Sequence, residues 1–300
     1  MTDNLTQESL FIKDGDHQLH VRHISNGKKA RGQPVLMVHG AIENGLIFYN
    51  KKGRGLGCYL ASSGFDVYVI DLRGRGYTIP TIKPFDTFGQ TETIVTDLPL
   101  FIDFVYQNNP QPMHLMAHSW GGVLLTSMLA RAPQLIDKVR SQIFFGTKRQ
   151  VRVLNPEALF KIRLMWHHVA PFYAKRHGLL AAKKLGFGSD DETIKSHGQG
   201  MGWTKSSQWI DSDDGFDYQQ ACQKVKWPPT WFVAAIKDKA LGHPEDVKRF
   251  IVEANYVDAK YTLLCKKDGF KRDYDHISML TDPISPSDHF VQIIDWLAQQ

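Results

Sequence analysis

The 300-residue chain is 42% hydrophobic and 22% charged, which describes an ordinary globular protein with material for a large core. Its 36 Lys+Arg against 31 Asp+Glu leave a formal charge of +5, too little over this length to argue for a nucleic-acid partner. No stretch reaches the roughly 18 uninterrupted apolar residues of a membrane span, so no stable membrane anchor is expected. Residues 1–8 show neither the basic start nor the apolar run of a secretory signal, and a cytoplasmic location is the expectation. Cys58, Cys222 and Cys265 are odd in number and widely spaced, which suits buried free thiols better than a disulfide framework or a zinc site.

In chain order, the alternating runs 11–13 and 19–24 flank Asp14-Gly15-Asp16 and predict a β-hairpin. A polar linker over 25–33 leads to the apolar run 34–38, a strand buried on both faces, which ends in His39-Gly40. Residues 46–63 read as a helix leading into Gly64, and 65–70 as the next buried strand, closed by the basic turn Asp71-Leu72-Arg73-Gly74-Arg75-Gly76. Ile94, Val95, Leu98, Phe101, Ile102 and Val105 recur at helical spacing within 91–107. A strand over 113–117, a helix over 123–130 and a strand over 139–145 follow. This alternation predicts a mostly parallel sheet with helices on both faces. From 148 to 225 the rhythm breaks into a Trp-, His- and Gly-rich stretch too long for a loop, which predicts an inserted helical cap on a core made of 1–147 and 226–300. The alternation resumes with a strand over 230–236, a helix near 244–254, a strand over 261–265 and a final helix over 288–298.

The most informative stretch is His118-Ser119-Trp120-Gly121-Gly122, a sharp turn between strand and helix with a serine at its apex. Such an apex lifts the hydroxyl out of the sheet and strains the backbone, so the positions two before and two after must be tiny, as Ala117 and Gly121 are. The pattern resembles the G-x-S-x-G elbow of the α/β-hydrolase superfamily, with Ala117 in place of the first glycine. That resemblance implies the α/β-hydrolase fold and a serine, acid and histidine triad in that chain order.

Ligands of open parallel sheets lie outside the carboxyl ends of the strands, so an acid and a base are sought just after a strand. Asp238 follows Ile236 by two residues and looks like the family's acid loop, the plain alternative being a surface aspartate. Glu245 and Asp246 open the next helix, where the helix dipole accounts for them. His276 comes eleven residues after Cys265 and is the candidate base, with His289, inside the final helix, as its rival. The resemblance then implies Ser119 as nucleophile, His276 as base and Asp238 as the acid that orients it. It also implies an oxyanion hole from the N–H of Trp120 and an N–H of the His39-Gly40-Ala41 turn, Ala41 or its neighbour Ile42.

Four further pieces resemble the acid lipase and esterase branch with its bacterial relatives: His39-Gly40-Ala41-Ile42, the junction 60–67, Pro244-Glu245-Asp246-Val247, and Asp275-His276. They imply cleavage of a small-molecule carboxylic ester through an acyl-enzyme, with no cofactor. Dehalogenases and epoxide hydrolases of this fold carry an aspartate where Ser119 stands. An acyltransferase or peptidase on the same triad, and a non-catalytic binding protein on the same fold, are the other readings.

The histidines His167, His168 and His177 suggest no metal site, because neighbours on a helix point apart. Residues 211–217 echo the start of a calcium loop but lack its closing glutamate, so a solvated acidic turn is expected. Trp166, Trp203 and Trp209 either line an acyl pocket or pack the cap on the sheet.

Overall fold

The structure is a computed structural model that describes residues 5–27 and 32–300; residues 1–4 and 28–31, the start of the chain and the middle of the expected linker, lie outside the described residues. The predicted hairpin is β1 (Thr6–Asp14) and β2 (His17–Ser25), which turns through Gly15 at φ 56°. It is followed by β3 (Pro34–Val38), β4 (Asp66–Ile70), β5 (Met113–His118) and β6 (Val139–Phe145). A two-stranded antiparallel pair, β7 (Leu179–Leu180) and β8 (Glu192–Thr193), lies inside the stretch expected to be a helical cap. Finally β9 (Thr230–Ala235) and β10 (Lys260–Leu264) complete an eight-stranded sheet in the order β1-β2-β4-β3-β5-β6-β9-β10. Pairing is parallel from β4 to β10 and antiparallel at the hairpin.

Because strand side chains alternate in direction, each central strand feeds two cores. Leu36 and Val38 of β3 join one, Val35 and Met37 the other. Helices α1 (Leu56–Ser62) and α8 (His289–Leu297) cover the second face through Leu56, Leu60, Phe290, Ile293 and Leu297. The first face is covered by α2 (Leu98–Asn108), α3 (Trp120–Arg131) and α7 (Pro244–Glu253). Between β6 and β9 run a wide π-type helical stretch (Leu159–Val169) and the helices α4 (Ala170–His177), α5 (Ile194–Lys205) and α6 (Tyr218–Cys222).

Several expectations are corrected. The helix read over 46–63 begins only at Leu56, because Gly53 and Gly55 take φ 71° and 104° and the Asn50 side chain caps the N–H groups of Lys52 and Arg54 instead. Val95 faces solvent although its spacing fits the buried stripe. The acidic turn after Ile210 is not simply solvated: Asp211 is buried, accepting the hydroxyls of Thr91 (2.7 Å) and Tyr218 (2.6 Å). Asp246 does more than favour a helix start, since its carboxylate accepts the Arg152 N–H and pairs with Arg249 at 2.6 Å. The basic turn after β4 is buried as ion pairs, Arg73 with Asp97 and Asp14, Arg75 with Glu192. Trp203 and Trp209 pack in the core with Tyr218 and Cys222, and the three cysteines are free and buried.

Gly121 sits where α3 leaves the sheet, and a Cβ there would lie 2.5 Å from the His39 carbonyl oxygen and 2.6 Å from that of Val38. Both are backbone atoms of the neighbouring strand end, which cannot swing aside. Gly121→Ala is therefore expected to destabilise the fold by about 2 kcal/mol, read as a lowered urea midpoint. A midpoint equal to that of the wild type would show that this contact is not as close as described.

Candidate active site

Ser119 joins β5 to α3 with φ 51° and ψ −120°, a conformation that non-glycine residues rarely adopt and that costs on the order of 1–3 kcal/mol. The turn is held from both sides. The Ser119 N–H donates to the Phe145 carbonyl at 2.7 Å, and the Ser119 carbonyl accepts the Thr147 hydroxyl at 2.9 Å. The next residue, Trp120, is the first of α3, so its N–H is among the donors that a helix start leaves without an intrahelical acceptor. Its indole N–H donates to Gln90 Oε1 at 2.9 Å, and Gln90 is in turn fixed by Ser196 and Gln199 of α5.

His276 lies beyond β10 in a loop tied by Asp275, whose carboxylate accepts the N–H groups of Ile277 and Ser278. Its Nδ1 donates to Asp238 Oδ2 at 2.5 Å, and Asp238 Oδ1 accepts the Leu241 N–H at 2.9 Å. Both residues are buried, 6% and 3% exposed. Burial pushes the Asp238 carboxyl up, but the adjacent His276, the Gly242 N–H and the field of Lys148 outweigh it and bring it to about 2. Two glycines make the room: a Cβ on Gly146 would lie 2.9 Å from His276 Nδ1, and one on Gly242 would lie 2.7 Å from Asp238 Oδ2. Neither was singled out from sequence, where a lone glycine after a strand reads as a turn.

The structure thus brings together all the residues expected at the site. Ser119, His276, Ala41, Ile42 and Trp120 line one cavity of about 1030 Å³, with Asp238 directly behind His276. The rival His289 is elsewhere, its Nε2 donating to the Met279 carbonyl. Of the three tryptophans, Trp166 lines the cavity, while Trp203 and Trp209 belong to the core.

Sequence reasoning missed a second pair, of which the histidine is buried and the carboxylate partly so. His118, next to the serine, donates from Nδ1 to Glu43 Oε2 at 2.8 Å and from Nε2 to the His276 carbonyl at 2.9 Å. The same Glu43 oxygen accepts the Gly40 N–H at 2.9 Å, so one ion pair ties together the turn after β3, the serine turn and the histidine loop. Burial opposes charge on His118, but the Glu43 carboxylate wins and holds its pKa above the ordinary 6.5. Burial likewise opposes charge on Glu43, and the His118 imidazolium wins, drawing it from 4.5 down to about 2. The only sequence signal was a glutamate three residues after Gly40, which commonly marks a surface position.

This pair gives a pH window. A histidine raised on folding contributes stability that is full below its unfolded value near 6.5 and lost as pH rises through its folded value. A glutamate lowered on folding contributes above 4.5 and loses that contribution as pH falls towards 2. Glu43→Gln is therefore expected to cost about 2 kcal/mol between these limits. Thermal melts at pH 5.5 and pH 2.5 test it, and a deficit of the same size at both would remove the charge from the explanation.

The sequence model of the alpha/beta hydrolase fold family matches residues 33–143. Triacylglycerol lipase 1 of Arabidopsis thaliana is 30% identical over 144 residues, which are 45% of this chain and 36% of the plant protein. Triacylglycerol lipase 2 of the same plant is 30% identical over 122 residues, 38% of this chain and 29% of its own length. The chain therefore spans about a third of the length of these relatives. The crystal structure of a soluble variant of monoglyceride lipase from Saccharomyces cerevisiae superimposes with a TM-score of 0.71 at 17% identity, covering 100% of this chain and 97% of the yeast chain. With its sheet, its serine turn and these matches, the chain has the α/β-hydrolase fold, and proteins named as lipases are among those it is similar to.

Proposed function

We propose that this chain is a serine hydrolase that cleaves a carboxylic ester, with Ser119 as nucleophile, His276 as base and Asp238 as the acid that orients it. The observation that carries the reading is that Ser119 and His276 line one cavity while Asp238 holds the far nitrogen of that imidazole at 2.5 Å. With Nδ1–H committed to Asp238, Nε2 is the basic nitrogen, the tautomer needed to take the serine proton. Ser119 Oγ adds to the ester carbonyl as its proton passes to His276, and the N–H groups of Trp120 and Ala41 receive the oxyanion. Collapse expels the alcohol, which takes the proton from His276. Water, deprotonated by the same imidazole, then releases the carboxylic acid and restores Ser119. These steps call on no cofactor. The names of the plant and yeast relatives support an ester substrate. In this reading residues 148–225 form the cap that roofs the cavity, contributing Phe160, Ile162, Met165, Trp166 and Phe187 to its wall.

A fluorophosphonate probe is expected to add one phosphonyl group to the wild-type protein, seen by intact mass, and none to Ser119→Ala. Asp238→Asn should keep the fold and lose on the order of 10³-fold or more in kcat on p-nitrophenyl esters. Labelling that persists without Ser119, or a wild type that neither labels nor turns over any ester, would sink the proposal.

A further inference from the structure

Lys148 lies just past the end of β6, one residue after the Thr147 that holds the Ser119 carbonyl. It is 6% exposed and lines the cavity. Among the described residues its ammonium has no hydrogen-bond acceptor and no carboxylate within ion-pair distance; its one close partner is the Trp120 ring, 5.7 Å from Nζ to the ring centroid. A desolvated ammonium without a bound counter-charge is unfavourable: burial lowers the Lys148 pKa against the fields of Asp238 and Asp246, and an anionic ligand beside it would relieve that cost.

The charges around it sharpen the point. The cavity wall also carries Glu43 and Glu192, but Glu43 is bound to His118 and Glu192 to Arg75. Asp238 and Asp246 reach Lys148 only as fields, since one is bound to His276 and the other to Arg249 and the Arg152 N–H. Lys161 and Lys183, also on the wall, are exposed to solvent, and Lys161 is paired with Glu157. Apart from these groups the wall is largely apolar, with Leu46, Val151, Ile162, Met165 and Leu241. The result is a largely apolar chamber with one buried lysine beside the serine turn whose ammonium, among the described residues, has no carboxylate bound to it.

We propose that Lys148 binds an anionic group of the substrate, a carboxylate or a phosphate, so that the preferred esters are anionic amphiphiles. The word ester rests on the function proposed above; the anion site does not. The competing role for Lys148 is to support the Asp238 carboxylate through its field alone, which would help every substrate equally.

Binding needs no chemistry and is tested first. On Ser119→Ala, calorimetric titration with decyl phosphate, decanoate and the neutral 1-decanoylglycerol is expected to show at least one anion binding about tenfold or more tighter than the neutral lipid. Adding Lys148→Met should erase that preference, with Lys148→Gln serving where the methionine variant is not recovered. Which anion is favoured distinguishes phosphate from carboxylate. Equal affinities, or a preference that survives loss of Lys148, would overturn the site. With Ser119 intact, the ratio of kcat/KM for 1-decanoylglycerol 3-phosphate or mono-p-nitrophenyl glutarate to that for its neutral counterpart should fall about tenfold in Lys148→Met. A uniform loss across charged and neutral esters would assign Lys148 to Asp238 and overturn the anion role. A wild type that cleaves no ester while the binding preference holds would refute the hydrolase reading and leave the anion site standing.

Discussion

Everything at the site follows from keeping one serine in a backbone conformation that it would not choose. At φ 51° and ψ −120° Ser119 stores a strain that only a well-packed surround can sustain. The surround is specific: β6 takes the serine N–H, Thr147 holds its carbonyl, and the helix that follows packs so closely on the end of β3 that only Gly121 fits. These contacts come from strands that are neighbours in the sheet and distant in sequence. The strain at the serine is therefore supported by the stability of the whole parallel sheet rather than by the turn itself.

Around this point the protein arranges charge in two layers. One is the His276–Asp238 pair, in which the carboxylate fixes which imidazole nitrogen carries the proton. Behind it lies His118–Glu43, in which both imidazole nitrogens face acceptors, so the ring is held as a cation. The two histidine rings lie 4.5 Å apart, yet their environments ask opposite things of them. A ring with one acceptor and one open nitrogen is fitted to exchange a proton. A ring with two acceptors is fitted to keep it.

Much of this was legible in the sequence. Continuous apolar runs marked the buried parallel strands, the Ala117-His118-Ser119-Trp120-Gly121 turn marked the apex, and the chain order of Asp238 and His276 matched the positions that the sheet brings to one edge. What stayed hidden were interactions between segments that no local pattern relates. Glu43 carried little sequence signal, Arg75 read as a basic turn residue and Glu192 as part of the helical cap, yet each is paired with a partner 75 to 117 positions away. Lys148 was equally silent, since a lysine after a strand is ordinarily solvated. Periodicity overreached at Val95, which sits on the helical stripe but faces water, and at 46–55, where glycines in left-handed conformations break the expected helix.

The carbonyl of Ile42 accepts two N–H groups, from Ser189 at 2.8 Å and Asp190 at 3.1 Å. The Asp190 carboxylate then takes the Asn44 amide and the Gly76 N–H. Ile42, itself at φ 50°, adjoins Ala41 in the turn after β3, so a short stretch between β7 and β8 acts as a splint on that turn. Mechanically, residues 189–190 and the turn after β3 are one piece at this corner. Any motion of 148–225 against the sheet must hinge away from 189–190, or the turn will be bent with it.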